Sequence, residues 1–302
     1  MKTGKVALLG ANGQLGQTLL QAWVTGETTR NLALQCLDLP EFDLTNTGQV
    51  QQILDQEKFD FIINAAAYTQ VDQAEKDSDA AFAINQTGVE TLARWVVENN
   101  AHLVHISTDY VFDGNASRPY LPQDIPSPVN VYGRSKLAGE EAIKAIAPEC
   151  VTIVRTSWLY SPHGSNFVKS MLRHMASREQ LSVVADQLGT PTSTASLAEL
   201  IISIVSGDTK SGVYHWTDAG AASWYDFAIA IQEEALAAGL LDRKASIIPV
   251  RSEDYPTAAK RPSYSVLDKT DTYKSFNLKP VHWREKLRAV LKEIGSLPRV
   301  IQ

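Results

Sequence analysis

The sequence predicts an α/β protein with a doubly wound parallel sheet and a smaller, discontinuous C-terminal lobe. Short apolar runs alternate with longer amphipathic segments up to about residue 160, and this pattern requires parallel strands joined by crossover helices. A glycine-rich turn follows the first apolar run directly, as in Rossmann-like folds. Beyond residue 160 the alternation loosens, which predicts the second lobe.

The first half supplies five strands, each a short apolar run: 5–9, 32–38, 59–66, 103–108 and 152–160. Helical periodicity predicts the segments between them: 14–24, 47–56, 78–99 and 131–146. Pro128 and Pro148 bracket the last of these helices. In the second half, 213–218 resembles a further strand of the sheet and 223–239 resembles the helix that packs on it.

Two domains follow from this pattern. Residues 1–160 are expected to form a dinucleotide-binding domain, to which 194–239 returns. The segments 161–193 and 240–302 are expected to form mainly the substrate-binding lobe. Pro, Ser and Thr become frequent around 180–192 and 242–266, where the alternation of helices and strands weakens.

Composition excludes several classes of protein. The chain has 302 residues, 44% hydrophobic and 21% charged, which argues against disorder, collagen-like repeats and coiled coil. No apolar run approaches the ~18 residues of a membrane span, and the N-terminal apolar run is too short for a secretory signal. We therefore expect a cytoplasmic protein. The net charge of −6, without runs of Lys or Arg, argues against nucleic-acid or membrane partners.

Metal and disulfide chemistry are not expected. Cys36 and Cys150 each lie within an apolar stretch, which predicts two buried thiols in a reducing compartment. The six histidines show no metal-ligand spacing, so we expect no metal in the site.

The glycine-rich turn carries Gly10, Gly13 and Gly16. Glycines between a strand and a helix permit a tight turn and close backbone approach to a pyrophosphate, which the helix N-terminus attracts. A plain loop is the alternative, but the position between strand and helix favours a dinucleotide. Asp38 follows Gly16 near the ~20-residue offset of an acid that holds the adenosine ribose. A solvated strand-end carboxylate is the alternative here, and the choice between NADH and NADPH stays open.

Tyr132 and Lys136 lie four residues apart, one turn along the same helix face. An ammonium in that position can lower the pKa of the phenol, which can then pass a proton to a substrate oxygen. Such a pair is common on protein surfaces, but this one opens the helix after the fourth strand. Thr108 and Asp109 end that strand, at the edge where open α/β sheets bind ligands. The Thr108 hydroxyl could hydrogen-bond a carbonyl that is being reduced.

Seven segments in this order resemble the dTDP-4-dehydrorhamnose reductases, extended short-chain dehydrogenases/reductases of nucleotide-sugar metabolism. They are the GxxGxxG turn, NAAAYT (64–69), STDYVFDG (107–114), YGRSK (132–136), RTSWLY (155–160), DQLGTPT (186–192) and KRPSYSVLD (260–268). The resemblance implies NAD(P)H-dependent reduction of the C4 ketone of dTDP-4-dehydro-L-rhamnose to dTDP-L-rhamnose. That is the last step of dTDP-rhamnose synthesis.

The resemblance also implies residue roles. Tyr132 would be the proton donor, Lys136 would bind the nicotinamide ribose, and Thr108 would bind the 4-oxygen. Asp109 and Trp158 would join Thr108 at the substrate. The cofactor, NADPH or NADH, would contact Tyr132, Lys136 and a further set made up of Gly10, Gly13, Gln14, Leu15, Gly16, Asp38, Asp43, Leu44, Ala65, Ala66 and Ala67.

Some members of this family form dimers bridged by a metal on glutamates. Here Gln17 and Thr18 follow the turn, and the stretch 193–196 contains no acid, so we expect a monomer. The five other tryptophans are interpreted as packing residues: Trp23, Trp95, Trp216, Trp224 and Trp283.

Three alternatives remain. A 4,6-dehydratase needs a second carboxylate after Asp109, where this chain has Tyr110. A 4-epimerase normally shows a Ser-rich pattern instead of STDYVFDG. A regulatory subunit could keep the cofactor site without turnover, but the presence of Tyr132, Lys136 and Thr108 favours an enzyme.

Overall fold

The structure, a computed structural model, describes residues 3–297. Its strands are β1 (Gly4–Leu9), β2 (Leu32–Leu37), β3 (Phe61–Asn64), β4 (His102–Thr108), β5 (Val151–Thr156), β6 (Leu159–Tyr160), β7 (Gln180–Val184), β8 (Leu188–Gly189), β9 (Thr192–Ser193), β10 (Gly212–His215), β11 (Ala222–Ser223) and β12 (Ser246–Val250). Its helices are α1 (Gln14–Thr25), α2 (Thr47–Asp55), α3 (Val71–Ala74), α4 (Ser78–Phe82), α5 (Val89–Glu98), α6 (Val131–Ile146), α7 (Phe167–Ser177), α8 (Thr194–Ser206), α9 (Trp224–Ala237), α10 (Thr270–Phe276) and α11 (Trp283–Ser296). A π-helical turn, Ala83–Gly88, joins α4 to α5.

Six parallel strands form the central sheet in the order β10-β5-β4-β3-β1-β2. Alternate residues of β1 enter separate cores on its two faces, Ala7 and Leu9 on one side and Val6 and Leu8 on the other. Both faces are covered, so the strands read as nearly continuous apolar runs. The predicted doubly wound α/β sheet is confirmed.

The chain leaves β1 toward β2 and then returns to β3 on the other side of β1. At such a switch point the crossover helices lie on opposite faces of the sheet, and a crevice opens beyond the strand ends. The fold therefore places a ligand cleft beyond Leu9 and Asn64, the last residues of β1 and β3.

A second core lies beside the sheet. The parallel pair β7 and β12 packs with α7, α9 and α11 around apolar side chains that include Val168, Leu181, Ile231 and Leu287. Sequence analysis placed the segment 223–239 on the large sheet, whereas α9 lies in this second core. The face of the sheet beside β10 is already covered by α8, through residues such as Leu197.

The division of the chain into two domains remains a proposal. In it, α9 belongs with the smaller lobe, because it packs in the second core. Conversely, α10 packs on the large sheet, where Tyr273 and Phe276 contact its core. The ends of the predicted domains, residues 1–2 and 298–302, lie outside the described residues.

Two local predictions are wrong. The strand predicted over 152–160 ends at Thr156, because Trp158 has a left-handed backbone (φ 47°) that turns the chain toward β9. The thiols are not both buried. Cys36 is exposed because β2 is an edge strand of the sheet, and Cys150 is half-buried just before β5. Within residues 3–297, no helix has the length and apolar character needed to cross a membrane.

Candidate active site

A cleft with a volume of about 780 Å³ opens at the carboxyl edge of the sheet and extends to the smaller lobe. Of the predicted site residues, Gly16 alone does not line this cleft. Those that do are Gly10, Gly13, Gln14, Leu15, Asp38, Asp43, Leu44, Ala65, Ala66, Ala67, Thr108, Asp109, Tyr132, Lys136 and Trp158. The predicted cofactor-binding residues and the predicted catalytic residues thus share one cavity.

The glycine-rich turn leaves no room for side chains. Gly10 has φ +75°, and a Cβ there would lie 2.7 Å from the backbone nitrogen of Ala66. The Gly13 N–H donates to the Gly10 carbonyl at 3.1 Å and closes the turn. Gly16 lies beneath the turn, where a Cβ would overlap the backbone of Gly10 and Ala11. It serves packing of the helix on the turn and does not reach the cleft.

Helix α1 begins at Gln14 with no side-chain cap, since its N-cap residue is Gly13. The N–H groups of its first turn are therefore available to an anion, as a pyrophosphate site requires. The Gln14 side chain reaches the smaller lobe, where its Oε1 accepts a hydrogen bond from Asn166 at 3.0 Å. The turn and the helix end fit the diphosphate of a dinucleotide.

Asp38 follows β2 at the adjacent part of the cleft. Its Oδ2 accepts the Asn12 N–H at 2.6 Å, and its Oδ1 accepts the Leu39 N–H at 2.8 Å. Both bonds fix the carboxylate while each oxygen keeps a lone pair for a hydroxyl. The acid predicted to hold a ribose is thus held rigidly beside the turn.

Tyr132 and Lys136 lie in the first two turns of α6. The Asn130 side chain caps the helix by accepting the Gly133 N–H at 2.7 Å, which fixes the start of the helix beside Tyr132. The Lys136 Nζ atom donates to the Ile106 carbonyl at 2.7 Å. Burial lowers the pKa of Lys136 to about 8, although the negative charge of Glu140 acts to raise it.

The pKa of Tyr132 is raised to about 12 by burial, and a hydrogen bond from Thr108 opposes part of that rise. Sequence analysis expected Lys136 to lower this pKa. The net direction is upward because burial outweighs the favourable contacts of the phenolate. Tyr132 therefore remains a protonated phenol at neutral pH, as a proton donor must be.

Thr108 ends β4 beside the phenol, and Asp109 follows it in a short 3₁₀ helix. The Thr108 Oγ1 donates to Asp109 Oδ1 at 3.1 Å and accepts the Tyr110 N–H at 3.2 Å. Asp109 is only 3% exposed, and burial raises its pKa to about 6, with Ser265 and Thr108 opposing part of the rise. Its Oδ2 atom accepts no hydrogen bond of ordinary geometry from the described part of the chain. Because Asp109 lines the cleft, this buried acceptor lies beside the site.

Trp158 does not line the cleft alone. The ring of Trp224 stacks on it, with centroids 3.5 Å apart and planes at 7°. The interpretation of Trp224 as a packing residue is therefore incomplete. No sequence signal could have found it, because the two residues lie far apart in the chain and meet only when α9 joins the smaller lobe.

A buried ion pair lies below the catalytic candidates. Arg155 on β5 donates to Glu140 on α6 at 2.6 and 2.9 Å, and Ser107 on β4 donates to the same carboxylate at 2.6 Å. Burial acts to raise the pKa of Glu140, but the bonds and charge of Arg155 outweigh it and hold that pKa below its usual range. The pair ties α6 to the two strands beneath the site. Sequence analysis did not identify it.

Comparison with known proteins agrees with this geometry. Residues 4–296 match the family model described as the RmlD substrate binding domain. The chain is 43% identical to a dTDP-4-dehydrorhamnose reductase of Aggregatibacter actinomycetemcomitans, over 95% of this chain and 98% of the relative.

This chain belongs to the dTDP-4-dehydrorhamnose reductase family.

The family's solved structures share the whole fold. The Bacillus anthracis dTDP-4-dehydrorhamnose reductase, solved in complex with NADP, is 38% identical, covers 97% of this chain and 100% of its own, and superposes with a TM-score of 0.89. Another relative, the dTDP-4-keto-6-deoxy-D-glucose reductase of Streptomyces niveus, is 39% identical over 94% of this chain and 96% of its own. The predicted membership of the dTDP-4-dehydrorhamnose reductase family is confirmed.

Sequence analysis predicted a monomer without a bridging metal, because Gln17 and Thr18 follow the turn. In residues 3–297 no three His, Cys, Asp or Glu side chains gather as a metal-binding group. Thr18 and Thr194 instead share a hydrogen bond of 2.7 Å between their hydroxyls.

Proposed function

We propose that this chain uses NADH or NADPH to reduce the C4 ketone of dTDP-4-dehydro-L-rhamnose, giving dTDP-L-rhamnose. The observation that carries the proposal is the convergence of Tyr132, Lys136 and Thr108 on the cleft that also contains the uncapped glycine-rich turn. When bound, the reduced cofactor supplies the hydride, and the protein supplies the proton and the geometry.

Tyr132 is the proton donor in this proposal. Its raised pKa keeps the phenol protonated until negative charge develops on the substrate oxygen. The Thr108 hydroxyl turns from Asp109 to the same oxygen and stabilises that charge. The unpartnered oxygen of Asp109 accepts a hydrogen bond from a hydroxyl of the sugar. Without that bond this buried acceptor would stay unsatisfied.

The residues at the switch point would hold the cofactor. The N–H groups of the first turn of α1, at Gln14 and Leu15, hold the diphosphate, and Asp38 holds the adenosine ribose. Asp43 and Leu44 line the adenosine end, and Ala65, Ala66 and Ala67 form the wall at β3. Lys136 holds the nicotinamide ribose. A carboxylate at Asp38 can accept a free 2′-hydroxyl of the ribose, so NADH should be accepted.

The smaller lobe binds the nucleotide-sugar in this proposal, with Trp158 and Trp224 as its aromatic surface. We infer a monomer, supported by Gln17 and Thr18 where a bridging acid would be needed. We infer a cytoplasmic location, supported by the exposed, unpaired thiol of Cys36.

A coupled assay tests the function. The keto-sugar is generated in place from dTDP-glucose by a dehydratase and an epimerase, and the loss of reduced-nicotinamide absorbance is followed with NADH and with NADPH. NMR of the product identifies the configuration at C4. We expect oxidation of cofactor that requires both the sugar and this protein, with dTDP-L-rhamnose as product. A protein that binds cofactor but consumes none with this sugar would contradict the proposal and favour a regulatory subunit.

A further inference from the structure

His105 is a completely buried histidine that the proposed reaction does not use. It lies on β4 directly opposite Asn64 of β3, and its ring reaches Lys136 of α6. Its Nδ1 atom is 3.1 Å from Asn64 Nδ2, and its Nε2 atom is 3.4 Å from Lys136 Nζ. Burial, followed by the charge of Lys136, holds the pKa of His105 well below its usual range, so the ring is neutral.

The orientation of the Asn64 amide is fixed by the backbone. The Ala66 N–H can only donate, and it lies 3.1 Å from Asn64 Oδ1. The other end of the amide, the NH₂ group, must therefore face His105. Because that group is a donor, the His105 Nδ1 atom must carry a lone pair and accept.

A neutral imidazole with a lone pair on Nδ1 carries its proton on Nε2. That N–H faces Lys136, which is itself a donor when charged. An ammonium at this position would meet the positive end of an N–H dipole, whereas a neutral amine could accept the hydrogen bond and still donate to the Ile106 carbonyl.

We propose that His105 is a positioning residue for Lys136, and that its Nε2–H favours release of a lysine proton into the active site. The proposal rests on the proposed reductase function only for its consequence in turnover. The tautomer and the titration of Lys136 are properties of the chain by itself.

The groups around Lys136 agree with this assignment. The carboxylate of Glu140, also on α6, favours the charged form of Lys136. However, Arg155 of β5 pairs with that carboxylate, and Ser107 of β4 donates a hydrogen bond to it. Asp109, which follows β4, also lines the cleft, and burial raises its pKa. The pKa of Lys136, lowered to about 8 by burial, places its proton release close to neutral pH.

In turnover the acceptor is the phenolate that Tyr132 becomes after it protonates the substrate oxygen. One N–H bond of the Lys136 ammonium breaks and one O–H bond forms on Tyr132. The lysine nitrogen keeps the electron pair, which then accepts the Nε2–H of His105. The histidine thus stabilises the neutral amine that proton release leaves behind.

The first test is the tautomer in wild-type protein without cofactor or sugar. Long-range ¹H–¹⁵N correlation spectra distinguish a protonated from an unprotonated ring nitrogen, and the His105 signals are assigned by their loss in His105→Phe or by backbone connectivity. We expect Nδ1 to be unprotonated and Nε2 to be protonated. A proton on Nδ1 would overturn the proposal, whether or not the protein is a reductase.

The second test reverses the tautomer. Asn64→Asp keeps an acceptor for the Ala66 N–H but offers His105 a carboxylate, so we expect Nδ1 to carry a proton and Nε2 to present a lone pair to Lys136. We expect the pKa of Lys136, followed by NMR of its Cε group, and the alkaline limb of kcat/KM both to move up by about one pH unit. His105→Phe should move both in the same direction by less, because it removes the facing N–H without adding an acceptor.

His102→Gln is the control, because it removes an imidazole from the same strand that hydrogen-bonds Thr152 and not Lys136. It should leave the titration of Lys136 unchanged. A shift in His102→Gln equal to that in Asn64→Asp would overturn the proposal, as would no shift in a folded Asn64→Asp. If Asn64→Asp does not fold, the wild-type tautomer decides the question.

Discussion

Trp158 and Trp224 stack face to face against the second core, with ring centroids 3.5 Å apart. Trp158 reaches this position through a left-handed backbone, a conformation that costs about 1–3 kcal/mol in a non-glycine residue. Trp224 is the first residue of α9, where a capping box between Ser223 and Asp226 fixes the helix start. Both rings line the cleft, so the pair gives it an aromatic wall.

Trp224→Leu should raise KM for the nucleotide-sugar about three- to tenfold while kcat changes less than about twofold. An aromatic pair contributes about 0.5–1.5 kcal/mol beyond its buried area, and its loss lets Trp158 move from the substrate. Steady-state kinetics with saturating cofactor measure both constants. Phe167→Leu is the control, because Phe167 contacts Trp224 without lining the cleft. Equal effects of the two substitutions would count against a substrate wall.

Thr108→Val should lower kcat by about 10- to 100-fold and leave cofactor affinity nearly unchanged. The substitution removes the hydroxyl proposed to stabilise charge on the substrate oxygen. Loss of one such hydrogen-bond donor lowers kcat by about this factor or more. Thr108→Ser keeps the hydroxyl and should retain most of the rate. The role of the hydroxyl is refuted if the valine and serine variants turn over equally fast.

Asp38→Ala should weaken NADH binding by about tenfold, the scale of one lost hydrogen bond to a charged group. The affinity for NADPH should fall less than that for NADH, or should rise, because the substitution removes the carboxylate that repels a 2′-phosphate. Calorimetric titration of each cofactor gives the ratio of the two affinities. Asp38→Asn keeps the shape of the contact with Asn12 and controls for collapse of the turn. An equal loss for both cofactors would show that Asp38 only supports the turn.

Glu140→Gln should destabilise the fold by about 3–5 kcal/mol at pH 7, because it leaves the buried guanidinium of Arg155 without its carboxylate. The pKa of Glu140 is lowered on folding, so its contribution to stability is present above its ordinary value of 4.5 and is lost as pH falls through the lower folded value. Urea unfolding at pH 7 and near pH 4 measures both effects. The wild type should lose stability over this interval, and the variant should lose less.

Glu90→Gln is the matched control for that comparison. Glu90 pairs with Arg94 on the surface of α5, where an ion pair contributes about 0.3–0.5 kcal/mol. A loss in Glu140→Gln no larger than in Glu90→Gln would contradict the account of the buried pair.

Local patterns were enough to predict the sheet and most of its helices. Helix α6 begins and ends at the predicted residues 131 and 146, because its cap and periodicity lie in neighbouring residues. The same locality explains why residues at strand ends, such as Asp38 and Thr108, could be placed together in one cleft. Parallel strands bring their carboxyl ends to one edge whatever the loops do.

The features that the sequence did not predict depend on contacts between distant segments of the chain. The turn at Trp158 exists because β6 pairs with β9, more than thirty residues later in the chain. Helix α9 has apolar residues on several sides, so its periodicity does not say which core it joins. Asn64 and His105 meet by the register of β3 against β4, which no sequence period specifies.

Tyr132→Phe tests the central claim, that this phenol protonates the sugar oxygen during reduction, most directly. Its rate of cofactor oxidation with dTDP-4-dehydro-L-rhamnose is compared with that of wild type and of Tyr110→Phe, which removes only the hydroxyl from the ring that contacts Tyr132 edge-on. We expect Tyr132→Phe to lose about a hundredfold or more in kcat, with cofactor affinity and thermal stability retained, and Tyr110→Phe to keep most of its rate. A Tyr132→Phe protein that keeps most of its turnover would contradict the account.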